Sequence, residues 1–188
     1  MRQLTMVMSL VFLLTGCASV INKVVKEPID PDKAGRTVGE EIDDNKIKTY
    51  IAVNLKKADP ELNRAHINIA VFKGLVLLSG EITNANLKVL AGDVARDLRG
   101  VRQVYNEIQV RGNSSIISRT NDTIISGKII TKFAFKKDLP LNNLTVITED
   151  SVVYLLGTVR RSTGDAAVDI ARNTSGVEKV VKCLEYVD

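Results

Sequence analysis

The sequence predicts an α+β fold built twice: two consecutive units, each helix-strand-strand-helix-strand, with a three-stranded mixed sheet covered on one face by two helices. Three observations carry this. Apolar residues recur four apart in two places, Ile47, Ile51 and Leu55, then Ile125, Ile129 and Phe133, which gathers each set on one helical face. Each stripe is followed by two runs of strand-forming residues separated by a short turn, the pattern of a hairpin. The second strands of these hairpins superimpose residue for residue around Gly80 and Gly157.

The first unit is expected over residues 43–111 and the second over residues 120–188, joined by a polar linker over 112–119. In the first, Asp43, Asp44 or Asn45 supplies the N-cap of the opening helix, since a short polar side chain can accept from the free N–H groups of a first turn. Ile67, Ile69 and Val71 then alternate along a strand, Lys73 and Gly74 turn the chain, and residues 75–82 run back. A second helix over 84–98 carries Leu87, Leu90, Ala91, Val94 and Leu98, and Gly100 follows it, where a helix terminus tolerates positive φ, before a last strand over 101–108. The second unit repeats the order, with Asn121, Asp122 and Thr123 at the cap, strands over 144–148 and 152–159 around Glu149, Asp150 and Ser151, a helix over 162–173, and Gly176 before the strand 177–184. Each second helix is long enough to cross between parallel strands, a connection that is right-handed. Units of this size have marginal cores, so a monomer with its two units docked on each other is expected, with Ile116 and Ile117 of the linker as candidates for pinning them.

The N-terminus has a different character. Arg2 precedes an apolar run over residues 4–14, too short to span a bilayer as a helix and of the length of a secretory core segment. Leu14, Thr15, Gly16 and Cys17 end it. This tetrapeptide resembles the bacterial lipoprotein signal, which implies removal of residues 1–16 and acylation of the Cys17 thiol. Two or three acyl chains, at roughly 0.8 kcal/mol per buried methylene, would hold the chain at a bilayer without a spanning segment. Ala18 in place of Asp after that Cys favours the outer membrane, with the folded part facing the periplasm. Residues 17–42 contain Pro28, Pro31, Gly35 and Gly39 among alternating charges and read as a tether.

Composition and motifs exclude several classes. A net charge of +4 and a pI near 9.1 suit a polyanionic partner, but an exported chain without Trp offers neither access to nucleic acid nor a stacking platform for bases. With Cys17 acylated, Cys183 has no disulfide partner and reads as a small hydrophobe in a strand. His66 is the single His and has no ligand-spaced companion in sequence, so no metal site is assigned. The pairs Glu40 with Glu41, Asp43 with Asp44, and Glu149 with Asp150 fall at a linker end, a cap and a turn, where solvated acids are common. No Gly-rich loop leads from a strand into a helix, so no phosphate cradle and no cofactor site are assigned. The expectation is a non-enzymatic binding or structural module without catalytic residues.

One helix carries more apolar surface than its unit requires. Over residues 121–136 the core stripe takes Ile125, Ile129 and Phe133, whereas Ile124 and Phe135 fall together on another flank with Lys128 between them and Lys132, Lys136 and Lys137 nearby. That pattern suits a helix at a lipid interface, with apolar groups in the acyl boundary and amines at phosphates. It also suits packing of Ile124 and Phe135 on the other unit beneath a solvated basic face.

The order of parts, the strand ending at Gly80 or Gly157 and the Gly-Val after each second helix resemble the BON domain family of bacterial envelope proteins, and two copies fill nearly everything from Asp43 onward. The departure is at Ile124, an aromatic position in the related pattern, where this chain carries its aromatic at Phe135. A dual-BON lipoprotein resemblance implies binding of an anionic phospholipid membrane through the first helix of the second copy, at Ile124, Lys128, Thr131, Lys132, Phe135 and Lys136. It also implies a part in envelope integrity and recruitment to division sites. The alternative is a periplasmic scaffold or adaptor that meets other envelope proteins, in envelope assembly or peptidoglycan remodelling, without recognising lipid.

Overall fold

The computed structural model describes residues 35–111, 116–136, 139 and 141–187, with the backbone alone at 116–119 and 141. Cys17, the apolar run before it, and the side chains of Ile116, Ile117 and Lys137 lie outside the described residues. The first repeat runs α1 (Val38–Ala58), a short α2 (Pro60–Arg64), β1 (His66–Phe72), β2 (Leu75–Ile82), α3 (Ala85–Arg96), β3 (Gln103–Asn106) and β4 (Gln109–Val110). The second runs α4 (Ile116–Ala134), a 3-10 turn (Leu141–Asn143), β5 (Leu144–Glu149), β6 (Val152–Val159), α5 (Arg161–Arg172) and β7 (Lys179–Tyr186). In each repeat the hairpin is antiparallel and the last strand joins the second strand in parallel. β3 and β4 keep one register on β2, Leu75 opposite Gln103 and Glu81 opposite Gln109, so they are one strand interrupted at residues 107–108.

Alternation along the strands decides what each sheet face meets. Ile69, Val76 and Leu78 join Ile47, Ile51 and Leu55 of α1 and Ala91 and Ala95 of α3 in one core. Val153, Leu155 and Val159 join Ile125, Ile129 and Phe133 of α4 and Ala167 and Ala171 of α5 in a second. The residues between them point the other way, and Phe72, Leu75, Leu77, Tyr154, Leu156 and Cys183 form a third cluster where the two sheets pack on each other. The result is four layers, helices, sheet, sheet, helices, with two separate sheets rather than one of six strands. Polar contacts rim the seam: Arg102 with Glu185, Arg111 with Asp150, His66 with Glu149, and the Arg36 amide with the Asn142 carbonyl.

Two glycine positions explain why the repeats share their spacing. A Cβ at Gly80 would lie 2.0 Å from the His66 carbonyl oxygen, and one at Gly157 would lie 2.2 Å from that of Asn143. The equivalent strands therefore approach too closely for any side chain. Gly100 and Gly176, at φ 92° and 99°, sit over Ile47 and Ile125 in the same way.

The structure corrects both helix starts. α1 begins at Val38, capped by Thr37 in a capping box with Glu40: the Thr37 hydroxyl accepts from the Glu40 amide while the Glu40 carboxylate accepts from the Thr37 amide at 2.7 Å. That backbone bond is the main cause holding the Glu40 carboxyl below its ordinary value. Residues 35–42 are thus part of the fold rather than of a tether, and Arg36 lies against Asp44 and the Val71 carbonyl. α4 likewise begins at Ile116, within the expected linker.

Asp44 and Asp122 are consequently not caps. Each lies inside its helix, buried, and reaches across to the hairpin. Asp44 accepts from the amides of Lys73 at 2.8 Å and Gly74 at 3.0 Å; Asp122 accepts from those of Asp150 at 2.7 Å and Ser151 at 2.9 Å. All four turn residues have positive φ, from 48° to 76°, the geometry of a tight hairpin turn that non-Gly residues adopt at a cost. Two charge-assisted bonds per turn offset that cost. The acidic residue that sequence reading places at a helix start is a clamp between helix and hairpin, used once in each repeat.

Candidate functional site

The helix pair of the second repeat presents α4 on the outside of the sandwich. Its core stripe is inward, with Ile125 4%, Ile129 0% and Phe133 1% exposed. Ile124 is 51% exposed and Phe135 86%; neither packs on the first repeat, because the sheets and not the helices meet there. At about 100° per residue, Ile124, Lys128, Thr131 and Phe135 fall within roughly 60° of one another along about 16 Å of helix. Phe135 lies just past the last helical residue, yet its amide still bonds the Thr131 carbonyl at 3.4 Å, which holds it on the flank. The Thr131 hydroxyl is turned back onto the Gly127 carbonyl at 2.8 Å, so it brings no free donor to this surface.

The lysines differ in what they do. Lys128 and Lys136 are exposed beside the apolar pair. Lys132 donates to the Asn173 carbonyl at 3.1 Å and to the Thr174 hydroxyl at 2.9 Å, which places its charge at the C-terminal end of α5, where a cation is favoured. It therefore ties α4 to α5 as well as carrying charge. Between those helices Lys132, Phe135, Lys136, Asp169, Ile170 and Asn173 line an open groove of about 400 Å³. The same face of α1 is built differently. Asp44 matches Asp122, so Lys46 stands where Ile124 does, Tyr50 where Lys128 does, and Lys57 where Phe135 does. The apolar pair is thus peculiar to the second repeat. No described helix is long and apolar enough to cross a membrane.

Burial pushes the Cys183 thiol up to about 12, with the Glu107 charge adding to it, and pushes the Tyr154 phenol up to about 12 as well. Both stay protonated near neutral pH, and thiol nucleophilicity needs the reverse shift. The structure also places together what the sequence keeps apart. His66 lies 3.4 Å from Glu149 of the other repeat, and Glu81 joins them, one possible ligand atom from each lying within 4.8 Å of the others. Glu149, expected to be a solvated turn acid, is 8% exposed. No local spacing signals this cluster, because its members come from two strands of one repeat and one of the other.

The repeat architecture and its shared glycines define a known class. Both repeats match the BON domain, over residues 43–112 and 121–188, and the chain belongs to the BON family. It is 31% identical over 192 residues to "Outer membrane lipoprotein DolP" of Haemophilus influenzae, with 100% of this chain and 97% of that protein covered. It is 32% identical over 160 residues to "21 kDa hemolysin" of Actinobacillus pleuropneumoniae, covering 85% of this chain and 80% of that one. With "Osmotically-inducible protein Y" of Escherichia coli it shares 28% over 157 residues, 82% of this chain and 78% of that protein. It is a DolP-like protein with two BON domains.

Proposed function

We propose that this chain is a non-enzymatic outer-membrane lipoprotein, anchored through Cys17 on the periplasmic side, that binds anionic phospholipid with the outer flank of α4. The observation that carries the reading is Phe135, 86% exposed, sharing a flank with a half-exposed Ile124 and with Lys128 where neither core nor seam needs them. An exposed aromatic and an aliphatic bracketing an amine match a surface whose outer layer is phosphate and whose inner layer is hydrocarbon. The tetrapeptide ending at Cys17 and the printed name of the full-length Haemophilus relative support the anchored, outer-membrane setting. A contribution to envelope integrity, and enrichment where anionic lipid is concentrated as at division sites, would follow from that binding.

Vesicle sedimentation of a soluble form starting after Ala18 tests the reading. Anionic vesicles should carry the protein down, zwitterionic vesicles much less, and added salt should weaken the interaction. Indifference to lipid, with specific capture of an envelope protein on the same face, would replace it with the adaptor reading.

A further inference from the structure

Beside the flank of α4, the second BON domain has two hollows that follow one another along α5. The groove of about 400 Å³ between α4 and α5 meets, at Lys136, another of about 520 Å³ lined by Lys136, Leu139, Arg160, Ser162, Thr163 and Ala166. Ser162, Ala166, Ile170 and Asn173 recur three or four residues apart, so one side of α5 floors both hollows. At a rise of 1.5 Å per residue that side runs for about 16 Å.

The two ends differ in chemistry. At one, Lys136 and Arg160 bring two cations and Ser162 and Thr163 bring hydroxyls, and among the described residues no carboxylate lines this hollow. At the other, Phe135 and Ile170 present an aromatic and an aliphatic wall. Lys132 at that end is committed to the Asn173 carbonyl and the Thr174 hydroxyl, and Asp169 stands on the same rim, so an anion gains little there. A groove that is cationic at one end and apolar at the other suits an amphiphile and fixes which way round it lies. Resting on the reading of the α4 flank as a lipid-facing surface, we propose that this groove holds one anionic phospholipid molecule, its phosphate between Lys136 and Arg160 and one acyl chain laid along α5 against Ala166, Ile170 and Phe135. A phosphate fits the head end better than a fatty-acid carboxylate does. The Arg160 guanidinium can fork onto two of its oxygens while the Lys136 ammonium and the two hydroxyls reach the others. The flank meets a bilayer; the groove takes a single lipid.

The test uses the soluble form starting after Ala18, which keeps every described residue. It is titrated calorimetrically with lauroyl lysophosphatidylglycerol held below its critical micelle concentration, so that no bilayer or micelle is present. Binding should saturate at one lipid per chain, and laurate and lauroyl lysophosphatidylcholine should each bind roughly tenfold more weakly, since each lacks part of the charge pattern that the head end meets. Each methylene added to the chain should tighten binding by up to about fourfold until the groove is filled. Arg160→Glu, an exposed change, should weaken binding roughly tenfold or more, whereas Lys57→Glu on α1, the same change of charge in the other domain, should leave it as it was. Ala166→Trp should block the chain at the junction of the two hollows, with circular dichroism reporting that the fold is kept. Sedimentation with anionic vesicles, run in parallel, separates this inference from the reading beneath it. Vesicles that carry the protein down while the monomeric lipid shows no saturable binding overturn the groove and leave the flank standing; failure of both assays overturns both. Monomer binding that is indifferent to Arg160→Glu, or that laurate matches, also overturns the proposal.

Discussion

Replacing Phe135 by Ala removes the largest exposed apolar group from the α4 flank and isolates what insertion contributes. Full burial of a Phe side chain yields about 1.5–3 kcal/mol. Phe135 is 86% exposed in the free protein, so nearly all of that gain is still available at a bilayer. Taking about 2 kcal/mol as lost, and about 1.4 kcal/mol per tenfold, vesicle partitioning should fall roughly 30-fold. Phe135→Asp should cost more, since it adds a charge repelled by anionic headgroups. Neither change touches the core, so urea unfolding should stay near wild type. Phe133, two residues away and 1% exposed, is the control. Phe133→Ala should cost about 3–5 kcal/mol of stability through the cavity it leaves. Sedimentation with anionic vesicles reads the first effect, and urea titration followed by circular dichroism reads the second. The reasoning fails if Phe135→Ala binds within twofold of wild type, or if it destabilises the fold as much as Phe133→Ala.

Lys128→Glu should weaken vesicle binding at low salt, and the difference from wild type should shrink as ionic strength rises, because its contribution is electrostatic. Asp122→Ala removes two charge-assisted bonds to a turn held at positive φ and should cost on the order of 3 kcal/mol in a urea titration; Asp44→Ala should behave alike, and a loss under 0.5 kcal/mol in both would refute the clamp. Alkali should destabilise the protein. Cys183 rises from an ordinary 9.0 to about 12 on folding and Tyr154 from 10.0 to about 12. The folded state therefore keeps protons that the unfolded chain loses, and this stability is present below about pH 9 and declines as pH rises toward 12. The two groups together should cost about 2 kcal/mol between pH 8 and pH 10. Cys183→Ala should flatten that slope, and an unchanged slope would show that the thiol ionises freely in the fold.

What the sequence reveals about this molecule divides by the range of the interaction. Stripes at Ile47, Ile51 and Leu55 and at Ile125, Ile129 and Phe133 depend on helical period alone, and all six are buried. The hairpins and the glycines that end them were legible for the same reason. The Asp at each helix was visible as a repeated feature, but its role was misread, because a cap and a clamp ask for the same short acid and only tertiary structure separates them. The true start of α1 was hidden by Pro28, Pro31 and the mixed charges, although Thr37 followed by Glu40 is the spacing of a capping box. The exposure of Ile124 and Phe135 followed from helical angle, whereas the choice between solvent and the other domain did not. It required knowing that the sheets dock through Leu77, Tyr154 and their neighbours. The His66, Glu81 and Glu149 cluster was not legible, since its members meet only across that seam.

The four-layer arrangement constrains how an anchored molecule can meet its membrane. α1 with α3 and α4 with α5 lie on opposite outer faces of the sandwich, so they cannot rest on one bilayer together. Lys46 and Lys57, in place of Ile124 and Phe135, give the first repeat no apolar pair to insert. On the proposed anchoring, residues 18–34 separate the acylated Cys17 from the folded part, a reach of roughly 55 Å when fully extended. Under that proposal, a connection of that length would hold the α4 flank near the surface at an effective concentration in the millimolar range. A flank that binds weakly in free solution would then suffice, its effect being to choose an orientation more than to provide attachment. Two consequences follow for the anchored protein. Phe135→Ala should leave it in the membrane fraction while changing which surface faces the lipid, so that a spin label on α4 near Ile124 loses its depth-dependent quenching. A label at Tyr50 on α1 should report the aqueous phase in the wild type, and lipid contact there would mean that the other face of the sandwich rests on the bilayer.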